Sequence, residues 1–305
     1  MSDAVITVKG LTKHFGSFTA VKDVSMDIER GQVHGFLGPN GSGKTTTLRM
    51  MCGLMVPSAG PVSVLGMSVP EKAATVRRHV GYMTQRFSLY EDMTVLENMQ
   101  FLCRIHGLKR QRRKERIEAV LGQFELGDLA EKRVGPMSGG QKRRIALGAA
   151  VLTEPELLIL DEPTSEVDPN TRRDMWRHFF DLAQGGATLL VTTHLMDEAE
   201  RCHRLTIMSE GNVVADGSVE GLKADLPAKV LQVSGEDVTR LVPGLSEIDG
   251  VITVSQVGKT LRVLVISGDV RSRVESALPA GMDLEAVGAS IEDVFVDATR
   301  KSKRQ

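Results

Sequence analysis

Apolar residues along this chain fall into short uninterrupted runs, the pattern of strands covered on both faces rather than on one. Val5, Ile6 and Val8 open the first run, and residues 33–37 (VHGFL) form another that ends in a glycine-rich turn. Residues 4–37 therefore read as short strands. A helical pattern follows over 45–53, so a buried strand feeds a tight loop and then a helix, the first half of a parallel α/β unit. Residues 157–160 (LLIL), 187–192 (ATLLVT) and 204–208 are further buried strands with helical segments between them, and a mostly parallel sheet is the economical arrangement.

Two segments break this pattern. Residues 86–126 are polar and helix-patterned, and carry the basic run KRQRRKER at 109–116, so they read as a helical insertion between strands. Near 225–227 the style changes to short β-rich runs at 230–233, 251–254 and 261–266, followed by a helical stretch at 270–277. The predicted organisation is a main domain over 1–225, with a helical subdomain about 86–153, and a small α+β domain over 226–305. The tail RKSKRQ is basic and expected to fray.

Composition narrows the class. The chain has 305 residues, 25% charged and 41% hydrophobic, with a formal net charge of −1, which offers no general attraction to nucleic acid or anionic membrane. No apolar stretch approaches the roughly 20 residues needed to cross a bilayer. The start MSDAVITVKG lacks the basic region and apolar core of a signal peptide. Cys52, Cys103 and Cys202 are far apart and without CxxC spacing, which favours reduced thiols over a disulfide frame or zinc site. The expectation is a cytoplasmic protein whose membrane role, if any, comes through a partner.

Residues 38–45 (GPNGSGKT) fit G-x-x-x-x-G-K-[ST]. Glycines let the backbone curl so that successive amides point at phosphate oxygens, the lysine reaches the β- and γ-phosphates, and the threonine offers a hydroxyl to Mg²⁺. Here Lys44 and Thr45 take those roles, and the following helix aims its N-terminal amides at the same charge. LLILDEP ends a buried strand with two acids: Asp161 suits a magnesium shell, and Glu162 could polarise an attacking water. Ser138, in MSGGQ, is a plausible helix N-cap.

Taken in order, the phosphate loop, Gln85, SGGQ, LDEP and Thr193-His194 resemble the ATP-binding cassette ATPases, the motor subunits of ABC transporters, over roughly residues 4–225. The resemblance implies an α/β P-loop NTPase with a mostly parallel core sheet, an N-terminal antiparallel β subdomain and a helical insertion. It implies that Phe15 stacks on adenine. Gly38, Pro39, Asn40, Gly41, Ser42, Gly43, Lys44, Thr45 and Thr46 match the Walker A loop. Gln85 matches the glutamine that joins the magnesium site to the helical insertion. Ser138, Gly139, Gly140 and Gln141 match the signature motif that meets ATP held by a second subunit. Asp161 and Glu162 match the Walker B aspartate and catalytic base, Asp168 the D-loop at the dimer contact, and His194 the switch histidine. With Thr45, Gln85 and Asp161 as the metal residues and Lys44, Gln85, Glu162 and His194 as the catalytic ones, ATP and Mg²⁺ are the implied ligands.

Departures from the family pattern are few. Phe15 stands where tyrosine is common, Met137 where leucine is common, and SEVD at 165–168 where SGLD is usual, which puts Glu166 and Val167 at the subunit contact. The resemblance further implies a head-to-tail dimer with a second ATPase subunit, a homodimer or a mixed pair, and a separately encoded integral membrane permease docked on 86–126. Localisation would be cytoplasmic, peripheral on the inner face of the membrane. SIEDVF at 290–295 resembles the tail of daunorubicin-resistance-like and multidrug-export ATPases; read without the family, it is an amphipathic helix packed by Ile291, Val294 and Phe295. The basic run at 109–116 reads either as a solvated helix face or as a contact for lipid or permease. A soluble cassette acting on ribosomes or DNA is the alternative, but there is one Walker A loop and no sustained heptad run. A degenerate cassette that only clamps ATP conflicts with intact Glu162 and His194.

Overall fold

Leu157 and Ile159 are buried in one hydrophobic core, while Leu158 and Leu160 are buried in another. Alternate side chains of one strand thus serve two cores, as its unbroken apolar run requires. The structure, a computed structural model, describes residues 4–302. The chain forms two compact units that divide between Asp216 and Gly217.

The first unit is built on a six-stranded sheet in the order Asn212–Ser218, Arg204–Ser209, Val33–Leu37, Thr188–Thr193, Leu157–Asp161 and Val80–Met83. The pairings of Val33–Leu37 with its two neighbours, and those from Thr188–Thr193 through Leu157–Asp161 to Val80–Met83, are parallel. In an open parallel sheet, ligands bind beyond the carboxyl ends of the strands. Here the register sets Leu37 beside Thr193 and Thr192 beside Asp161, so the segments that follow three strands emerge together.

One face of this sheet packs against a four-stranded sheet in the order Phe18–Glu29, Ala4–Phe15, Val62–Val64 and Met67–Val69, through a core that includes Phe36, Leu48 and Ile159. Ala4–Phe15 and Phe18–Glu29 are antiparallel strands of 12 residues each, longer than the short strands expected. Register shifts along the pair break the alternation and divide the apolar pattern into short pieces. The other face packs on Pro169–Gln184 and on the insertion helices Val95–Ile105, Arg110–Gln123 and Gly139–Ala150. Thr94 closes a capping box on the first of these helices. In the basic run, Arg112 pairs with Glu115 and Glu154, Lys114 with Glu118, and Arg116 with Glu154.

The second unit runs strand, helix, strand, strand, helix, strand. Its antiparallel sheet has the order Val251–Val257, Thr260–Val265, Lys229–Ser234, Asp283–Val287, the split βαβ arrangement of ferredoxin-like domains. Val270–Ser276 supplies Val270 and Val274 to its core. The strand Asp283–Val287 was not legible in the sequence, because DLEAV is short and none of its residues is fully buried. SIEDVF enters the helix Ile291–Ser302, with Ile291 and Val294 buried. Asp293 caps the entry through Ser290 and receives the guanidinium of Arg262 at 2.7 Å. Arg300 and Lys301 continue that helix and pair with Asp297, so the first part of the expected frayed tail is ordered. The readings on residues 1–3 and 303–305 lie outside the described residues.

Candidate functional site

The loop after Val33–Leu37 curls because its glycines leave no room for a side chain. A Cβ on Gly43, at φ 105°, would stand 2.6 Å from the carbonyl oxygen of Ala20, and one on Gly38 would stand 2.3 Å from that of Met208. Gly41 also has positive φ, at 81°. Gly43 is the N-cap of the helix Lys44–Met51, so the amides of its first turn face the loop. Pro39 and Asn40 are exposed at the rim, and Thr46 is half-buried on the first turn. The Lys44 ammonium is buried and donates to the carbonyls of Gly38 at 2.7 Å and Pro39 at 3.1 Å. Burial lowers its pKa, against the pull of Glu162 and Asp161. The Ser42 hydroxyl is buried with no hydrogen-bond partner in the protein. A buried hydroxyl left unsatisfied within a glycine-rich loop at a helix N-terminus suits a phosphate oxygen.

Thr45 Oγ1 donates to Asp161 Oδ1 at 3.2 Å, and Thr192 Oγ1 donates to the same oxygen at 2.8 Å. Burial raises the Asp161 pKa, with the two threonine hydrogen bonds opposing it and Glu162 adding to it. Among the described residues, no group of three His, Cys, Asp or Glu side chains could hold a metal alone. A threonine hydroxyl with one carboxylate is nevertheless the hard-oxygen set that Mg²⁺ uses when phosphates complete its shell, so the residues fit that ion. Gln85 shares a cleft of about 360 Å³ with Thr45 and Asp161.

Glu162 lies one residue past the strand end in the left-handed region, φ 47°, a conformation a non-glycine residue holds only where its surroundings enforce it. The Thr192 hydroxyl accepts its N–H at 2.8 Å. Glu162 as a whole is 8% exposed. Gln85 Nε2 donates to Oε2 at 3.2 Å, His194 Nδ1 lies 3.5 Å from the same oxygen, and Lys44 Nζ is 3.9 Å from Oε1. Lys44, Gln85, Glu162 and His194 thus meet around one carboxylate.

Ser138 closes a capping box with Gln141 at the start of Gly139–Ala150. Ser138 and Gly139 are exposed. A Cβ on Gly140 would lie 3.1 Å from Thr171 Oγ1, and one on Gly139 would lie 3.7 Å from the Glu166 carbonyl. The helix N-terminus therefore stands beside the turn that holds Asp168. That aspartate caps Pro169–Gln184, accepting from the N–H groups of Asn170 and Thr171 and from the Thr171 hydroxyl. Those bonds, the Thr171 hydroxyl first, lower its pKa. Glu166 has φ 61°, which explains why glycine is the usual residue at its position. Phe15 is away from this cluster, 47% exposed at the end of its hairpin, opposite Phe18 and with the Lys13 ammonium 5.4 Å from its ring centroid.

Two contributors escaped the sequence reading. Thr192 serves Asp161 and Glu162 at once, and only its place in the threonine pair that ends the strand TLLVTT hinted at a polar task. Arg143 donates to the Gln85 carbonyl and to Ser165 Oγ. Its sole signal was the run of three basic residues, Lys142 to Arg144, that follows SGGQ.

The family model described as ABC transporter matches residues 21–165. Over 222 residues the chain is 44% identical to the probable multidrug ABC transporter ATP-binding protein YbhF of Escherichia coli (strain K12). That match covers 73% of this chain and spans 38% of the relative's length. The Nod factor export ATP-binding protein I of Burkholderia orbicola (strain AU 1054) is 36% identical over 98% of each chain. The daunorubicin resistance ATP-binding protein DrrA3 of Streptomyces coeruleorubidus is 34% identical over 100% of this chain and 98% of its own. Among solved structures, a dimeric ATP-binding cassette in a post-hydrolysis state with ADP and Pi is similar, with a TM-score of 0.65 and 26% identity over 70% of this chain and 98% of that one.

Proposed function

The chain belongs to the ATP-binding cassette family of ABC transporters, and from that premise we propose that it is the ATP-hydrolysing subunit of an exporter, driving a separate integral membrane permease. The observation that carries the reading is the Glu162 carboxylate, bracketed by Gln85, His194 and Lys44 beside the Thr45–Asp161 pair. In this reading the amides of loop 38–46 and Lys44 hold the triphosphate, and Phe15 stacks on the adenine. Thr45 and Asp161, which share a cleft with Gln85, would hold Mg²⁺, and the ion would supply positive charge against the phosphates.

Glu162 accepts a proton from water as the water oxygen bonds to the γ-phosphorus, and the bond from that phosphorus to the bridging oxygen breaks to release ADP. His194 steadies the water and the γ-phosphate. Gly139, Gly140 and the Ser138 cap present a helix N-terminus to the ATP of a second subunit, with Asp168 at the contact. The exposure of Ser138 and Gly139 supports that reading. ATP then joins two cassettes, and its cleavage lets them part.

Two identical chains form the pair. The insertion at 86–126 docks the permease, and residues 226–305 form an accessory domain that stabilises or regulates the dimer. Among the described residues no helix is long and apolar enough to cross a membrane. The chain works on the cytoplasmic face of the membrane, bound through the permease. Relatives named for multidrug export, Nod factor export and daunorubicin resistance support an amphiphilic exported substrate.

The test is isolation of the full chain from its native membranes, followed by ATPase assay of what accompanies it. A stoichiometric polytopic protein and magnesium-dependent ATP hydrolysis are expected. An assembly with no membrane protein, or one that hydrolyses no ATP, defeats the reading.

A further inference from the structure

Thr192 and Thr193 are neighbours on one strand, so their side chains leave opposite faces of the sheet. Thr192 serves Asp161 and Glu162, whereas Thr193 Oγ1 donates to Glu198 Oε2 at 2.7 Å. The other carboxylate oxygen, Glu198 Oε1, accepts from Thr164 Oγ1 at 2.5 Å. Glu198 is 1% exposed, and its two hydroxyl partners are also buried. A buried carboxylate persists only where its lone pairs are met.

The partners come from two different segments. Thr164 lies two residues after Glu162, and Thr193 immediately precedes His194. Thr193 Oγ1 also accepts the N–H of Leu195 at 3.0 Å, so the residues on both sides of His194 are held by one hydroxyl that Glu198 orients. A third link comes from the helix Pro169–Gln184, capped by Asp168. Its Arg172 has Nε 3.5 Å from Glu198 Oε1 and no hydrogen-bond partner for that nitrogen.

We propose that Glu198 is a positioning residue for hydrolysis: its buried carboxylate ties the segment after Glu162 to the segment before His194, and so sets the separation of base and switch histidine. Through Arg172 the same carboxylate senses the Asp168 turn, which gives the dimer contact a route to His194. The proposal rests on the ATPase reading of the site. Glu198 is 1% exposed and both its carboxylate oxygens are taken up by Thr164 and Thr193, so it acts on turnover and not on nucleotide affinity.

The experiment is a double-mutant cycle on the full-length protein, with Glu198→Gln and Thr193→Val, reading kcat, ATP Kd and thermal unfolding. Both changes keep side-chain volume close to native, and Glu198→Ala serves as the severe form. The expected result is a kcat lowered by about tenfold in each single variant, with Kd within about twofold of wild type. The double variant is expected to be no slower than the slower single, because both break one linkage. Glu198→Gln is also expected to be faster than Glu198→Ala, since its amide can still meet one threonine as donor and the other as acceptor.

Losses that multiply in the double variant would overturn the proposal, as would wild-type kcat in both singles. A lowered unfolding temperature with native kcat would assign Glu198 to stability alone and overturn it too. If the wild-type chain hydrolysed no ATP, the reading of the whole site would fail, a result distinct from active wild type with unaffected variants. Should Glu198→Ala not fold, the Glu198→Gln and Thr193→Val cycle decides.

Discussion

Arg143 Nη1 donates to the carbonyl oxygen of Gln85 at 2.7 Å. Arg143 lies one turn into the helix that Ser138 caps, so the helix bearing SGGQ holds the backbone of the segment that brings Gln85 to Glu162. Its Nη2 donates to Ser165 Oγ at 2.8 Å, and Ser165 Oγ in turn donates to the Glu162 carbonyl at 3.0 Å. A movement of that helix is therefore felt on both sides of the acidic strand end. Arg143→Met keeps the apolar stem and removes the donors. The expected outcome is a folded protein whose kcat falls by about tenfold while ATP affinity holds, read by steady-state kinetics beside a binding titration.

Glu162→Gln keeps the size of the side chain but cannot take a proton from water. Hydrolysis should fall by roughly 10²–10⁴-fold, the usual worth of a general base. ATP binding should persist, and with cleavage blocked the variant should accumulate as an ATP-dependent dimer on size-exclusion chromatography. Wild-type turnover in the purified variant would remove Glu162 from the role of base.

Lys44→Ala removes a buried ammonium that binds the carbonyls of Gly38 and Pro39. The loop loses its internal tie as well as its charge toward phosphate. Isothermal titration should show ATP affinity reduced by about 10²-fold or more, given roughly 2.7 kcal/mol or more for a charge-assisted contact in a desolvated site. Native affinity in this variant would contradict the assignment of the loop.

The second unit carries its own pH signature. Burial pushes the Asp293 carboxyl up, but hydrogen bonds from Arg262 and Ser290 outweigh it and leave the pKa below the ordinary value. A carboxyl lowered in the folded state contributes stability that is fully present above its unfolded value, about 3.9. That contribution disappears as the pH falls through the lower folded value. Asp293→Asn should cost about 1–3 kcal/mol at neutral pH. The gap between variant and wild type should close as the solution is taken below about pH 4, and urea unfolding at a series of pH values measures it.

The motifs were legible because their chemistry is local. GPNGSGKT predicts a phosphate loop from its glycines, Lys44 and Thr45 between a strand and a helix, and the positive φ angles at Gly41 and Gly43 are conformations that favour glycine. LLIL predicts a strand buried on two faces, and its residues alternate between two cores as that pattern demands. The small strand Asp283–Val287 and the length of Ala4–Phe15 were not legible, since a short edge strand with no fully buried residue gives no apolar run and a bulged hairpin loses the simple alternation.

The sequence by itself determined which chemical groups are present, in what order, and that glycine loop, acids and histidine each follow an apolar strand. Tertiary structure alone decided that Thr192 serves the acids while Thr193 serves Glu198, and that Arg143 reaches Gln85 across 58 residues of chain. The reason is physical: spacing along a chain controls what one turn or strand end can do. Which strand ends stand side by side depends on sheet order and register, and those are settled by packing among segments distant in sequence.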